Sequence, residues 1–197
     1  MLKRLFDILF SIIGLALIFP VLFLISILIK LDSKGPVFFV QGRVGKHNKD
    51  FNIYKFRTME IESAKKGNLT LGNNDSRVTK IGYFLRRYKI DELPQLINII
   101  KGDMSFVGPR PELRYYVNFY KEEDLEIFKI RPGITGLASL KYRNEVELLK
   151  KAKDPEAFFI KTIIPDKLKY NKEYISKKSI LFDLKLIGLT IIKVILK

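Results

Sequence analysis

Two adjacent carboxylates, Asp91 and Glu92, followed by Leu93-Pro94, are the residues of this chain best placed to do chemistry. An amphipathic pattern begins beside them, with Leu93, Leu96, Ile97 and Ile100 at i, i+3, i+4 and i+7, so a helix is expected to start at the pair. Free N–H groups and the positive end of the macrodipole stabilise a carboxylate there and attract phosphate. A carboxylate in that place can hold Mg²⁺, attack phosphorus or cap the helix, and from position alone capping is the ordinary role of Asp. Consecutive helical residues point about 100° apart, so the two carboxylates would play two roles and not share one. Fixed cations stand around the pair in turn-rich contexts: Arg43, Lys55, Arg57, Arg86, Arg87, Arg110, Arg131 and Arg143. An isolated arginine is ordinarily a solvated surface cation. That reading weakens for Arg110, between Pro109 and Pro111, and for Arg131 before Pro132, because the prolines restrict the backbone and preorganise a planar fork suited to phosphate.

What is missing narrows the chemistry further. His47 is the single histidine and there is no cysteine, which excludes disulfides, iron–sulfur clusters, thiolate zinc sites and thiol nucleophiles. Acid–base work must fall to carboxylates or a lysine of depressed pKa. No P-loop, dinucleotide fingerprint or histidine-rich metal motif is present. The 197 residues are 47% hydrophobic and 29% charged, too hydrophobic for disorder and too short for two full domains. The net charge of +15 is spread along the chain, which favours a polyanionic partner: nucleic acid, an anionic lipid surface or a phosphorylated substrate. No nucleic-acid motif and no repeated interleaving of aromatic with basic residues supports the first.

The elements that must position these residues begin with a membrane segment. Ile8 to Ile29 carries no charge and, at about 1.5 Å per residue, is long enough to cross a bilayer core. Its length, Asp7 ahead of it and the lack of a cleavage pattern after Ser26 argue against a signal peptide. Pro20 near its centre is expected to kink or break the helix. Both flanks are basic, with Lys3 and Arg4 before and Lys30 and Lys34 after, as a re-entrant helix with both ends on one face would require. A kinked spanning helix is the commoner outcome for such a segment and stays open at this point.

Beyond it, Val37 to Val40 and Phe51 to Phe56 read as a hairpin around the polar loop 45–50, and residues 60–78 as a polar surface loop. Helices are expected over Ile81 to Tyr88, from Leu93 to Lys101, over Glu112 to Phe128 and over most of 145–175, with breaks near Pro155 and Pro165. Residues 103–111 and 131–136 read as irregular, and Ile180 to Lys197 as a helix that either lies in the membrane interface or closes the core. The expected fold class is α+β: a small, mostly helical domain with a short hairpin or sheet over residues 35–197, on an N-terminal re-entrant membrane helix over 1–34, with amphipathic interfacial helices.

Five motifs then carry a resemblance. Lys3-Arg4-Leu-Phe-Asp7, Tyr54-Lys-Phe-Arg-Thr-Met59, Ile90-Asp-Glu-Leu-Pro-Gln-Leu96, Lys101-Gly-Asp-Met-Ser-Phe-Val-Gly-Pro-Arg-Pro111 and Arg131-Pro-Gly-Ile-Thr-Gly136 stand in the order found in the bacterial sugar transferases, the small monotopic phosphoglycosyl transferases. The chain resembles that family from residue 3 to about 145. The resemblance implies transfer of a phospho-sugar from a UDP-sugar to a polyprenyl phosphate, normally undecaprenyl phosphate, with release of UMP, at the cytoplasmic face of the bacterial inner membrane. It implies a catalytic Asp91 that forms a covalent phospho-sugar intermediate and is associated with Mg²⁺, assisted by Glu92 as base or metal-organising group. Lys55, Arg57, Arg110, Arg131 and Arg143 fall on substrate-binding positions. Lys3, Arg4, Pro20 and Arg86 fall on positions that hold the anchor and the lipid head group, and the helix is re-entrant.

Three positions depart from the family pattern. Phe19-Pro20 replaces Ser-Pro in the membrane segment, Leu137-Ala-Ser-Leu-Lys-Tyr-Arg-Asn144 replaces a Trp-Ala-Gln-Val-Asn-Gly-Arg-Asn run, and Asn171 stands where an aspartate is usual. Sugar specificity is expected in residues 60–78 and 137–168. The sequence leaves open which sugar is carried and whether the protein forms a homodimer. The competing reading is a membrane-anchored basic binding or scaffold protein for anionic lipid or glycan-assembly partners.

Overall fold

Helix α1, Leu2–Asp32, runs without interruption through Pro20 in the computed structural model, which describes residues 2–61 and 75–195. The break expected at Pro20 does not occur, since the loss of one backbone N–H leaves the remaining helical bonds in place. One side of α1 faces protein along its length. Leu15 and Ile18 pack on the cluster of Ile53, Leu96, Ile99 and Met104, and Leu22, Ile25 and Ile29 pack with Phe56 and Leu85. The opposite side presents Leu9, Phe10, Ile13, Leu17, Phe19, Val21, Phe23 and Leu24 to the surroundings.

Strands β1, Phe38–Val44, and β2, Asp50–Phe56, form the expected antiparallel hairpin, with Phe38 opposite Phe56 and Val44 opposite Asp50. Most of the expected loop 60–78 lies outside the described residues. Helix α2, Lys80–Arg87, is N-capped by Thr79, whose Oγ1 accepts from the Gly82 N–H at 3.0 Å. A 3₁₀ turn over Ile90–Glu92 leads into α3, Gln95–Lys101. Gly102 ends α3 at φ +99°, a left-handed conformation that favours glycine.

The stretches 103–111 and 131–136 are more ordered than their proline content suggests. Within them β3, Ser105–Val107, and β4, Gly133–Thr135, pair in parallel. Glycine makes this contact close: a Cβ on Gly136 would lie 2.3 Å from the Gly108 carbonyl oxygen, and one on Gly108 only 2.4 Å from that of Arg131. The pairing is long-range and three residues long, which local periodicity cannot reveal.

The helix expected over Glu112 to Phe128 is instead α4, Arg114–Val117, and a 3₁₀ segment, Glu122–Lys129. Then come α5, Leu137–Lys141, α6, Glu145–Lys151, α7, Pro155–Phe158, a π-helical turn over Phe159–Ile163, α8, Ile164–Lys177, and α9, Ile180–Ile195. Pro165 does not break the chain: α7, the π-helical turn and α8 follow one another without a gap, and Pro165 stands just after the π turn. The largest core cluster joins Val44, Tyr116, Val117, Ile127, Phe128, Leu149, Phe159, Ile163, Ile164 and Leu168. Helix α9 buries Leu186 against Val107 and Tyr174 while Leu181, Leu184, Ile191 and Ile192 stay exposed. Among the described residues the architecture is thus mostly helical, with two small two-stranded sheets and a long apolar N-terminal helix.

Candidate active site

Asp91 and Glu92 occupy the 3₁₀ turn between α2 and α3, reached through Lys89 in a left-handed conformation at φ +59°. Asp91 does not cap α3: that position belongs to Pro94, and no side chain bonds the helix start. Asp91 is 8% exposed, and its Oδ1 is buried with no hydrogen-bond partner. Buried carboxylate oxygens are almost always satisfied, so an orphan here marks a group kept for something other than stability. Burial, and then the negative charge of Glu92, push the Asp91 carboxyl above its usual range, against the pull of Lys55, Lys89 and Arg86.

Glu92 has the opposite surroundings. Lys55 Nζ donates to its Oε1 at 2.8 Å, Arg110 Nη2 donates to the same oxygen, and Arg110 Nη1 donates to Oε2 at 3.2 Å. Burial alone would raise this carboxyl. Arg110, then Lys55 and Lys89, more than offset it and hold Glu92 well below the usual carboxylate range. Burial in turn draws Lys55 below the ordinary lysine value, while the facing Glu92 charge holds Arg110 more firmly protonated.

Each cation is set by its element. Lys55 lies on β2, which is sewn to α3 by the fully buried Asn98. The Asn98 Oδ1 accepts from the Tyr54 N–H at 3.0 Å and its Nδ2 donates to the Asn52 carbonyl at 2.7 Å. Arg110 follows β3, between two prolines, where the Gly108 N–H donates to the Thr135 carbonyl and the Gly133 N–H to the Pro109 carbonyl, both at 2.9 Å. Next to it Lys167 bridges Glu112 at 2.9 Å and Glu145 at 3.1 Å, and Arg43 lies 3.7 Å from Glu112. A narrow cleft there is lined by Arg110, Glu112, Tyr120, Lys167, Leu168 and Asn171, so the departure at Asn171 falls beside the arginine. Sequence reasoning missed Asn98 and Lys167. The signal for Asn98 was a polar residue on the buried side of α3, between Leu96 and Ile99; a lysine in a polar helix such as Lys167 gave none.

The remaining expected residues are distributed unevenly. Arg86, half-buried in the last turn of α2, is drawn below the ordinary arginine value by burial, against the opposing charges of Asp91 and Asp75. Arg57 is turned away from the acidic pair. Its guanidinium donates to the carbonyls of Ser33 at 2.7 Å and Lys34 at 2.5 Å, where it satisfies free carbonyls at the end of α1. Arg131 donates through Nε to the Gly102 carbonyl at 2.7 Å, at the far end of α3 from Asp91. Arg143 is exposed in the turn after α5, and no hydrogen bond or ion pair links it to the pair. Arg57 and Arg131 thus each make a contact to backbone carbonyls at a helix end, Arg131 through Nε alone. Lys3 and Arg4 also point into the protein: Lys3 Nζ donates to the Val107 carbonyl at 3.2 Å and pairs with Asp183, and Arg4 donates to the Ile99 and Ile100 carbonyls at 2.6 and 3.1 Å.

Among the described residues no three acidic, histidine or cysteine groups converge as a metal site. Mg²⁺ needs only one or two carboxylates when substrate phosphates and water complete its shell, and the orphaned Asp91 oxygen fits that role.

Comparison with known proteins places the chain in a family. The whole chain, residues 1–197, matches the family described as bacterial sugar transferase. It is 47% identical over 141 residues to the UDP-N-acetylgalactosamine-undecaprenyl-phosphate N-acetylgalactosaminephosphotransferase of Aeromonas hydrophila, covering 70% of this chain and 33% of that protein. It is 39% identical over 197 residues to the UDP-glucose:undecaprenyl-phosphate glucose-1-phosphate transferase of Escherichia coli strain K12, covering 98% of this chain and 40% of that protein. It is 39% identical over 194 residues to the sugar transferase EpsL of Bacillus subtilis strain 168, covering 98% and 87%. The chain thus spans well under half of the first two relatives and most of the third.

Proposed function

This chain belongs to the bacterial sugar transferase family, and on that premise we propose that it moves a phospho-sugar from a UDP-sugar to undecaprenyl phosphate through an aspartyl intermediate on Asp91. The observation that carries the reading is the buried, unpartnered Asp91 Oδ1 beside a glutamate already saturated by two cations. An ionised oxygen with no hydrogen bond to break is a nucleophile held ready, and the neighbouring cations offset its repulsion from a diphosphate.

In the first step an Asp91 carboxylate oxygen attacks the phosphorus that bears the sugar. The new O–P bond forms as the bridging P–O bond breaks, and its electron pair leaves on UMP. In the second step an oxygen of the lipid phosphate attacks the same phosphorus and the aspartyl O–P bond breaks, which restores the carboxylate and yields the lipid diphosphate sugar. Arg110 stabilises charge developing on the equatorial phosphoryl oxygens, as a planar fork can. Glu92, engaged by Lys55 and Arg110, orients these cations and is not free to take a proton. Asp91 would hold Mg²⁺ together with the substrate phosphates, and the ion would neutralise charge on the diphosphate. Arg86, near enough for its charge to act on Asp91, would meet the lipid phosphate in this reading.

We further propose that α1 lies in the membrane as one unbroken helix with both ends on the same face, leaving 35–197 as a cytoplasmic catalytic domain at the inner membrane. Contacts at both ends of α1 support this: Arg4 reaches the end of α3, and Asp32 accepts from the Ile81 N–H at the start of α2. A spanning helix would carry one end away from the domain. Donor choice would rest on segment 137–168 and on the loop 60–78, of which residues 62–74 lie outside the described ones. UMP release by the detergent-solubilised protein with Mg²⁺ and undecaprenyl phosphate, across a panel of UDP-sugars, tests the reading. Release with at least one donor, abolished in Asp91→Asn, supports it; release undiminished in Asp91→Asn contradicts it.

A further inference from the structure

We infer that Lys3, Arg4 and Asp7 are positioning residues that set the Asp91–Glu92 turn against Arg110, and that they are not a lipid head-group site; the inference rests on the transferase reading for its kinetic consequences only. Each of the three side chains is spent on the protein, on the two limbs that carry the site. Arg4 donates twice, to the Ile99 and Ile100 carbonyls, at the end of the helix whose start follows the Asp91–Glu92 turn. Asp7, 2% exposed, accepts from the Phe106 N–H at 3.3 Å. Lys3 closes a ring on the next residue of the same strand. Its Nζ meets the Val107 carbonyl and Asp183, Asp183 accepts from the Tyr174 hydroxyl at 2.7 Å, and that hydroxyl lies 3.2 Å from the same Val107 carbonyl.

Val107 is three residues before Arg110, and the intervening Gly108 and Pro109 are both hydrogen-bonded to β4, with no room for a Cβ on Gly108. A displacement at Val107 therefore reaches Arg110 with little backbone slack to absorb it. Asp183 and Tyr174 are themselves buried, at 5% and 2% exposure, so the ring also fixes α9 to the same point. The first two turns of the membrane helix thus grip α3 and β3 together, and the seating of α1 and α9 sets the gap across which Arg110 meets Glu92.

The protein in lipid nanodiscs provides the test, with Lys3→Met, Asp7→Asn and, acting on the ring from α9, Asp183→Asn. Backbone hydrogen exchange across residues 105–108 is expected to rise about 10-fold or more in all three, a readout that does not depend on any donor or on activity. With an active donor, kcat is expected to fall about 10- to 100-fold while KM for donor and polyprenyl phosphate stays within about 2-fold, and Lys3→Arg should recover most of the loss. Binding to anionic phosphatidylglycerol vesicles should not change. Unchanged exchange at 105–108, or a raised KM for polyprenyl phosphate with kcat preserved, overturns the inference and returns Lys3 to the lipid. An inactive wild type with the exchange increase intact would sink the transferase reading but not the clamp. If Lys3→Met does not fold, Asp183→Asn decides by the same exchange measurement.

Discussion

Arg110 meets Glu92 with both guanidinium Nη atoms across 18 positions of sequence, one nitrogen to each carboxylate oxygen, while Asp91, next in the chain to Glu92, keeps a buried oxygen with no partner at all. The contrast divides the labour between the carboxylates. One is held in its charged form by the cations it organises; the other is left without a partner.

Glu92→Gln should weaken the fold by about 2 kcal/mol at neutral pH, less than the 3–5 of a fully buried pair because Arg110 is one-third exposed. The carboxyl pKa is depressed in the fold, so its stabilisation is present above the ordinary value near 4.5 and is lost as pH falls below it. Denaturant titrations from pH 7 to pH 3 should show a steeper loss for the wild type than for Glu92→Gln; parallel curves would refute the pairing.

Arg110→Lys keeps a charge but loses the fork that spans Glu92 and would span a phosphoryl group. A fall of about 10²- to 10³-fold in kcat is expected, with a smaller change in donor KM. Steady-state UMP release measures both, and a lysine variant within about 3-fold of wild type would deny Arg110 its role in the transition state.

Asp91→Asn removes a buried charge that lacks a hydrogen-bond partner, so the inactive variant should be the more stable protein, by about 2–5 °C in Tm. The raised pKa gives a second signature in the wild type. Because the nucleophile must be ionised, kcat/KM should fall with decreasing pH from above the ordinary Asp range. A destabilised Asp91→Asn, measured by thermal unfolding in detergent, would mean that the carboxylate has a structural partner.

Asn98→Ala would leave the Tyr54 N–H and the Asn52 carbonyl without their partner on α3. The expected cost is about 3 kcal/mol, with a drop in kcat because Lys55 lies next on the released strand. Chemical denaturation checks the first, and a loss below about 1 kcal/mol would show that the strand is held by other contacts.

Much of this was legible in the sequence where physics is local. The β1–β2 hairpin and helices α2 and α3 announce themselves through period and punctuation, and the apolar run of α1 through length. The pairing of β3 with β4 did not, since two three-residue strands 26 positions apart carry no periodic signal and depend on Gly108, Gly133 and Gly136 packing together. For the site, adjacency placed Asp91 beside Glu92, and prolines singled out Arg110. Their division of roles required three dimensions, because it depends on Lys55 and Arg110 both converging on Glu92 and neither on Asp91. The helix-end contacts of Arg57 and Arg131 were not legible for the same reason: an arginine in a turn reads the same whether it meets a ligand phosphate or the free carbonyls of a helix end.

The most direct measurement is the intact mass of the protein after incubation with its UDP-sugar and Mg²⁺ in the absence of polyprenyl phosphate. The account expects the wild type to gain the mass of one phospho-sugar, on the peptide containing Asp91, and to lose it when undecaprenyl phosphate is added, with no gain in Asp91→Asn. Turnover by the wild type with no adduct under rapid quench, together with an active Asp91→Asn, would contradict the covalent role of Asp91.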